Sequence, residues 1–235
     1  MNSSMILSVT TFVYGLAAFL YIVSWIFKKE TAGKTAFWTA VLGLAGNTAG
    51  IILRWIESYQ MKIGHAPLSN MYESLVFFAW TILVIYLIIE QRYKNRTIGA
   101  FVTPLAFFAM AYASLQSSTI QPLVPVLKSN WLIAHVIACF IGYAAFAVAF
   151  GTSGMYLLKK RETSEKSPLL TKLPKASTLD ELTYQMIMLG FLFLSIGIIT
   201  GAVWANSAWG RYWGWDPKET WSLITWFVYA LSLIH

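Results

Sequence analysis

Long, nearly uncharged apolar runs recur along the chain, each about 20 residues, the length that crosses a bilayer core of roughly 30 Å at 1.5 Å per residue. They predict helices at about 5–27, 36–56, 72–90, 97–115, 131–158, 182–204 and from 219 to the end. The expected fold is all-α: a polytopic membrane helical bundle, a single membrane domain over 1–235 with about seven transmembrane helices. Composition agrees, because 57% of the residues are hydrophobic and only 11% are charged. Soluble proteins carry roughly 25% charged residues, and a water-facing surface cannot be built from less than half of that. Aromatics at 16% exclude a disordered chain. The first run lacks a basic n-region and is too long for a signal-peptide core, so it counts as a helix. A single cysteine, Cys139, excludes an internal disulfide and a Cys-x-x-Cys exchange site.

Charges between the runs set an orientation. The first connection carries Lys28, Lys29 and Lys34, the third Arg92, Lys94 and Arg96, and the fifth Lys159, Lys160, Arg161, Lys166, Lys172 and Lys175. The even connections hold only Lys62, Lys128, and the pair Arg211 and Lys218. By the positive-inside rule the odd connections face the cytosol, and the even ones and the N-terminus lie outside. Twelve of the 17 Lys and Arg residues are thereby a topology signal, which accounts for most of the net charge of +7 without nucleic acid as a partner. Residues 159–181, with their Ser, Thr, Lys and Pro, predict a mobile cytosolic loop. The seventh run stops at Leu233, Ile234 and His235 without the basic cluster that ends the other inward-running helices, so the sequence reads as cut off inside or at the end of a span.

The sixth connection differs from the rest. Six of the 11 Trp residues fall between Trp204 and Trp226, including the run WGRYWGWDPKETWSLITW from Trp209. One or two Trp at a membrane end fit an interfacial belt. Trp209, Trp213 and Trp215 interleaved with Gly210 and Gly214 fit it poorly, because glycine lets backbone approach a flat surface and indole offers faces for stacking. The stretch 204–220 is therefore expected to be an external segment for a large planar ligand. Within it, Asp216, Pro217 and Glu219 read as a helix N-cap, a first-turn proline and a capping box, with acid catalysis by Asp216 as the alternative. Asn70 and Glu73 repeat the capping pattern before the third helix.

Three histidines remain. His135 enters the fifth helix about 6 Å below the outer interface, on the Trp-rich side, and reads equally as a satisfied interfacial histidine or as a ligand. His235 lies about 21–27 Å along the seventh helix, in the inner half of the membrane, so the two belong to separate sites. His65, in GHAPLSNMYESLVFFAW, fits a loop role. Arg54, basic and inside a span, fits either snorkelling or pairing with an anionic ligand beside Arg211 and Lys218. Stacking surface, imidazole and cations together describe haem, with its iron and two propionates.

At this point a resemblance adds to the reading. The run WGRYWGWDPKETWSLITW, with GHAPLSNMYESLVFFAW, resembles the cytochrome c biogenesis haem-handling proteins of the CcsA/ResC type, the Trp-rich component of the two-part system II haem lyase. The similarity covers most of the chain. It implies a haem-binding subunit of a cytochrome c synthase that presents haem b on the outer face for thioether attachment to apocytochrome c. It also implies that the Trp-rich segment handles the haem and that His135 ligates the external haem iron; Trp209, Trp213, Trp215, Asp216 and Trp221, with the cations Arg54 and Arg211, are the residues expected to bind it. His235 matches a buried histidine proposed to ligate haem within the membrane. A second flanking histidine and an eighth helix are expected beyond the present end. Implied partners are a CcsB/ResB-type membrane protein, apocytochrome c and a thioredoxin-like reductant. The implied location is the plasma membrane of a bacterium, with the thylakoid membrane as the alternative. Two other function classes fit the residues, a haem exporter or delivery transporter and a scaffold whose Trp cluster is merely interfacial.

Overall fold

A computed structural model describes residues 2–161 and 170–234; His235 lies outside the described residues. Among the described residues there are seven α-helices: α1 Ser3–Phe27, α2 Glu30–Gln60, α3 Met71–Tyr93, α4 Gly99–Ala113, α5 Asn130–Lys160, α6 Ala176–Trp209 and α7 Pro217–Ile234. The first six, with α4 extended back to Arg96, are long and apolar enough to cross a membrane. The chain is a multi-pass, all-helical membrane protein. α7 forms where expected but carries Pro217, Lys218 and Glu219 in its first turn and is the least embedded helix, with no buried residue.

Two helices depart from the sequence-based bounds. α2 begins six residues early, at Glu30, because Lys28 ends α1 in the left-handed conformation at φ 56° and the chain reverses within two residues. α6 runs from Ala176 to Trp209, so residues 176–181 of the expected loop and Trp204 to Trp209 of the expected connection are helical. Gly210 then ends α6 at φ 73°, a conformation open to glycine without a Cβ penalty, and its N–H is donated to Asn206 O at 2.9 Å. The stretch 204–220 is thus a helix end, a tight turn and a helix start.

Small residues set the packing. On α2, Gly43, Gly46 and Gly50 lie against Tyr14, Thr10 and Leu7 of α1, and an added Cβ would stand 2.5–2.7 Å from those side chains. In an apolar solvent helices gain from close approach rather than from hydrophobic burial, and glycine permits it. α5 on α6 is the most extensive pairing, and at its centre a Cβ on Gly142 would stand 3.1 Å from Gly190 O. The core joins Tyr14, Tyr21, Ile82, Tyr86 and Met110 from α1, α3 and α4. α7 leans on this pair through Tyr229, stacked on Phe146 at 3.7 Å and 4°, and through Trp226, whose Nε1 donates to Ser195 Oγ at 2.8 Å.

The connections sort into two ends. At one, Glu57 accepts from Ser3 N, His65 reaches Gln121 O and Trp204 Nε1 donates to Val126 O. This end gathers the start of the chain and the even connections. At the other, Arg96 pairs with Glu90 at 3.3 Å and Thr97 Oγ1 donates to Lys172 O, among the lysines and arginines of the odd connections.

Candidate functional site

His135 is seated between α5 and α6 at the end that carries the Trp cluster. Ser129 caps α5 by accepting from Trp131 N, and His135 follows within the second turn. Its Nδ1 lies 2.7 Å from Gly197 O. A carbonyl oxygen only accepts, so Nδ1 carries the proton, and in the neutral ring Nε2 keeps its lone pair. Cys139, one turn along, brings Sγ to 3.6 Å from Nδ1 and 3.9 Å from Nε2. The indole of Trp204 lies nearly parallel to the imidazole at 6.5 Å and 18°, and Trp209 meets Trp204 edge-on at 4.8 Å.

A cavity of about 650 Å³ opens beside this imidazole, within the size range of small-molecule and cofactor sites. His135, Cys139 and Tyr143 form one wall, spaced four residues apart on one face of α5. Trp204, Trp209 and Trp213 supply aromatic surface, and Asp216, Lys218 and Glu219 of the α7 start close the rim. Among the described residues, the buried Trp213 Nε1 has no hydrogen-bond partner. An orphaned indole N–H and an ammonium on one apolar wall suit a flat ligand bearing carboxylates. A neutral imidazole whose Nε2 has only the weak Cys139 thiol near it, at 3.9 Å, suits its iron. The residues present therefore fit haem.

The turn that carries Trp213 is held by the capping box the sequence predicts. Glu219 N donates to Asp216 Oδ1 at 2.8 Å, and Glu219 Oε2 accepts from Asp216 N at 3.3 Å and from Gly214 N at 2.6 Å. Trp215, at φ 58°, turns its ring outward edge-on to Trp213 and is 69% exposed. Trp221 is 67% exposed on α7, and Arg211 folds over Gly214, where a Cβ would stand 2.9 Å from its guanidinium. Of the sequence-based candidates, His135, Trp209, Trp213 and Asp216 thus share the cavity; Trp215, Trp221 and Arg211 lie beside it, off its wall. His235 falls outside the described residues.

Arg54 requires a correction. It neither snorkels nor stands free for an anion: it is 3% exposed, its Nε lies 2.7 Å from Glu73 Oε1, and its guanidinium covers the Tyr72 ring at 5.0 Å. Glu73 accepts further from Ser69 N and Oγ, each at 2.8 Å, so the carboxylate expected to close a capping box with Asn70 serves Arg54 and Ser69 instead. Asn70 still caps α3 by accepting from Glu73 N at 2.9 Å. The sequence offers Glu73 only as a helix-start residue, and its partner lies 19 positions away.

His65 lies on a second, smaller cavity of about 460 Å³. It is buried, with Nδ1 2.9 Å from Ala66 O and Nε2 3.0 Å from Gln121 O. Each ring nitrogen faces a backbone carbonyl, and the neutral ring can donate to one of them, which holds the side chain between two connections and agrees with a loop role. Tyr143, Gly197 and Gly201 enter the site without having been singled out in the sequence, and Cys139, noted there only as the single cysteine, joins them. The four-residue spacing of 135, 139 and 143 was the available signal for two of them.

Comparison with known proteins shows the family. Residues 68–235 match the family described as Cytochrome C assembly protein, which takes in α3 to α7 and every residue on the cavity wall. The cytochrome c biogenesis protein CcsA of Microcystis aeruginosa is 40% identical over 230 residues, covering 77% of this chain and 69% of that protein. Its counterpart in Gloeothece citriformis is 36% identical, covering 99% of this chain and 83% of the relative, and that of Guillardia theta is 39% identical over 91% and 76%. Among solved structures, the cytochrome c haem lyase CcmF shares the fold with a TM-score of 0.75 at 14% identity. It covers 99% of this chain, which spans 41% of the lyase. With the family matched over more than two thirds of its length and relatives of this identity, the chain belongs to the cytochrome c assembly proteins, within their CcsA group.

Proposed function

We propose that this protein acts in cytochrome c maturation as the haem-binding membrane subunit of a two-component synthase, holding haem b for covalent attachment to apocytochrome c. The observation that carries the reading is the tautomer of His135: Nδ1 is committed to Gly197 O, and Nε2 is left for iron beside a Trp-lined cavity. The relatives, which are cytochrome c biogenesis proteins, and the haem lyase with the same fold support it. Haem supplies the iron that imidazole binds and the vinyl groups to which cysteine thiols add. This chain contributes positioning, which by itself removes a large part of the barrier to a two-component reaction. Trp204, Trp209 and Trp213 offer the ring faces, and Trp213 Nε1–H and Lys218 offer donors for the carboxylates.

The attachment face, the end that gathers the even connections, is the outer one by the distribution of basic residues. Placement in a bacterial plasma membrane, and partnership with a CcsB/ResB-type protein and a thioredoxin-like reductant, belong to the same proposal. His235 is proposed as a second, separate haem ligand in the inner half of the membrane.

Purified full-length protein should carry low-spin haem that is lost on His135→Ala; unchanged haem content in that variant would sink the ligand assignment. A delivery transporter is the second reading, favoured by the open rim of the cavity at Lys218 and Glu219. Trapping with an apocytochrome peptide separates the two, since a transporter without an attachment role yields no captured complex.

A further inference from the structure

α6 carries two glycines one helical turn apart, Gly197 and Gly201, and both lie under the His135 and Cys139 face of α5. Gly197 acts through its backbone, since its carbonyl oxygen accepts from His135 Nδ1 at 2.7 Å. Thr200 Oγ1 donates to the same oxygen at 3.1 Å. The missing side chain at 197 leaves room for the thiol, because a Cβ there would stand 2.6 Å from Cys139 Sγ. Gly201 clears the imidazole itself: a Cβ would stand 2.7 Å from His135 Nδ1 and 2.9 Å from Cε1. Close-packed interiors have no slack for such distances.

These two glycines differ from Gly142 in what they clear, although Gly190 on the same helix also clears a side chain, Phe146, which a Cβ would meet at 2.4 Å. Where α5 and α6 come closest, at Gly142, the atoms an added Cβ would meet are backbone, Gly190 O at 3.1 Å and Leu194 N at 3.2 Å. At 197 and 201 the first atoms met are the thiol and the imidazole. Clearance there serves two particular side chains.

We propose that Gly197 and Gly201 are positioning residues for His135, fixing its ring plane and tautomer so that Nε2 is the nitrogen offered to iron; this rests on the reading of His135 as a haem ligand. A metal-binding imidazole whose second nitrogen is held by a carbonyl is oriented and made more basic. A methyl group at 201 pushes the ring off that carbonyl. A methyl group at 197 reaches the ring indirectly, by displacing Cys139 Sγ toward it.

The test uses full-length protein with its membrane partner, reading haem per protein, low-spin absorption and electron paramagnetic resonance signals, and midpoint potential. Gly201→Ala should weaken haem binding about tenfold, as outer-shell changes do, and raise the high-spin fraction at unchanged protein yield and helicity. Gly197→Ala should do the same to a smaller degree, and Gly197→Ala with Cys139→Ala should match Cys139→Ala alone, since the thiol itself lines the cavity. Gly154→Ala is the control, since a Cβ there meets nothing within 4 Å. A wild-type spectrum and potential in Gly201→Ala overturn the inference, as does a double variant that differs from Cys139→Ala alone. If Gly201→Ala does not accumulate, the Gly197 and Cys139 pair decides. Loss of haem in His135→Ala with none in Gly201→Ala removes only the positioning role, whereas unchanged haem in His135→Ala removes the ligand reading beneath it.

Discussion

Arg54 and Glu73 form a buried ion pair, Nε to Oε1 2.7 Å, that ties α2 to the start of α3. Both side chains are almost fully excluded from solvent, and Ser69 completes the carboxylate with two donors. Arg54 Nη2 has no partner among the described residues, so the guanidinium depends all the more on Glu73.

Removing one member of such a pair leaves an uncompensated buried charge. Glu73→Ala should therefore destabilise the protein by about 3–5 kcal/mol. Replacing both residues with apolar side chains of similar volume, Arg54→Met with Glu73→Leu, should cost much less. Unfolding in detergent, followed by helicity, checks this; a double variant as unstable as Glu73→Ala would refute the buried-charge explanation.

Asp216 lines the cavity, yet its Oδ1 already accepts from Glu219 N. Asparagine caps helices as well as aspartate does, while alanine at a cap costs about 0.5–2 kcal/mol. Asp216→Asn is expected to keep haem content and maturation activity, and Asp216→Ala to lower stability. Equal loss of maturation in both variants would identify a role for the carboxylate as an acid.

The Trp residues should not be equivalent. Trp213 lines the cavity with an unpartnered Nε1, whereas Trp215 and Trp221 are mostly exposed. Trp213→Leu should reduce haem content, and Trp213→Phe, which keeps a ring but loses the N–H, should fall between it and wild type. Trp221→Leu should leave haem content intact. Haem titration of purified variants gives the order directly.

His65 joins two connections from a buried position, with Nδ1 2.9 Å from Ala66 O and Nε2 3.0 Å from Gln121 O. His65→Ala should release the segment around Gln121 and expose it to limited proteolysis. The cost in stability should be about 1–3 kcal/mol, because a buried acceptor loses its donor. Haem bound at His135 should survive, and its loss would give His65 a role in the site that its geometry does not suggest.

Much of the architecture is legible in the sequence because its signals are local. The length of an apolar run depends on neighbours in the chain, which is why all seven helices form close to their expected positions. Asp216, Pro217 and Glu219 close their capping box within four residues. The αL turn at Lys28 and the extension of α6 to Trp209 escaped, since a lysine in that conformation and a helix that continues into a Trp-rich run carry no strong local mark.

The faces of the helices are another matter. A membrane helix is apolar nearly all round, so periodicity does not say which side meets a neighbour and which meets lipid. The sequence by itself determined the spans, the distribution of charge and the presence of a Trp cluster near one histidine. The tertiary structure decided that Arg54 belongs to Glu73, that Trp213 rather than Trp215 lines the cavity, and that His135 presents Nε2. That last choice is made by a carbonyl on another helix, 62 residues away along the chain, and contacts of this kind exist only once α5 and α6 are packed.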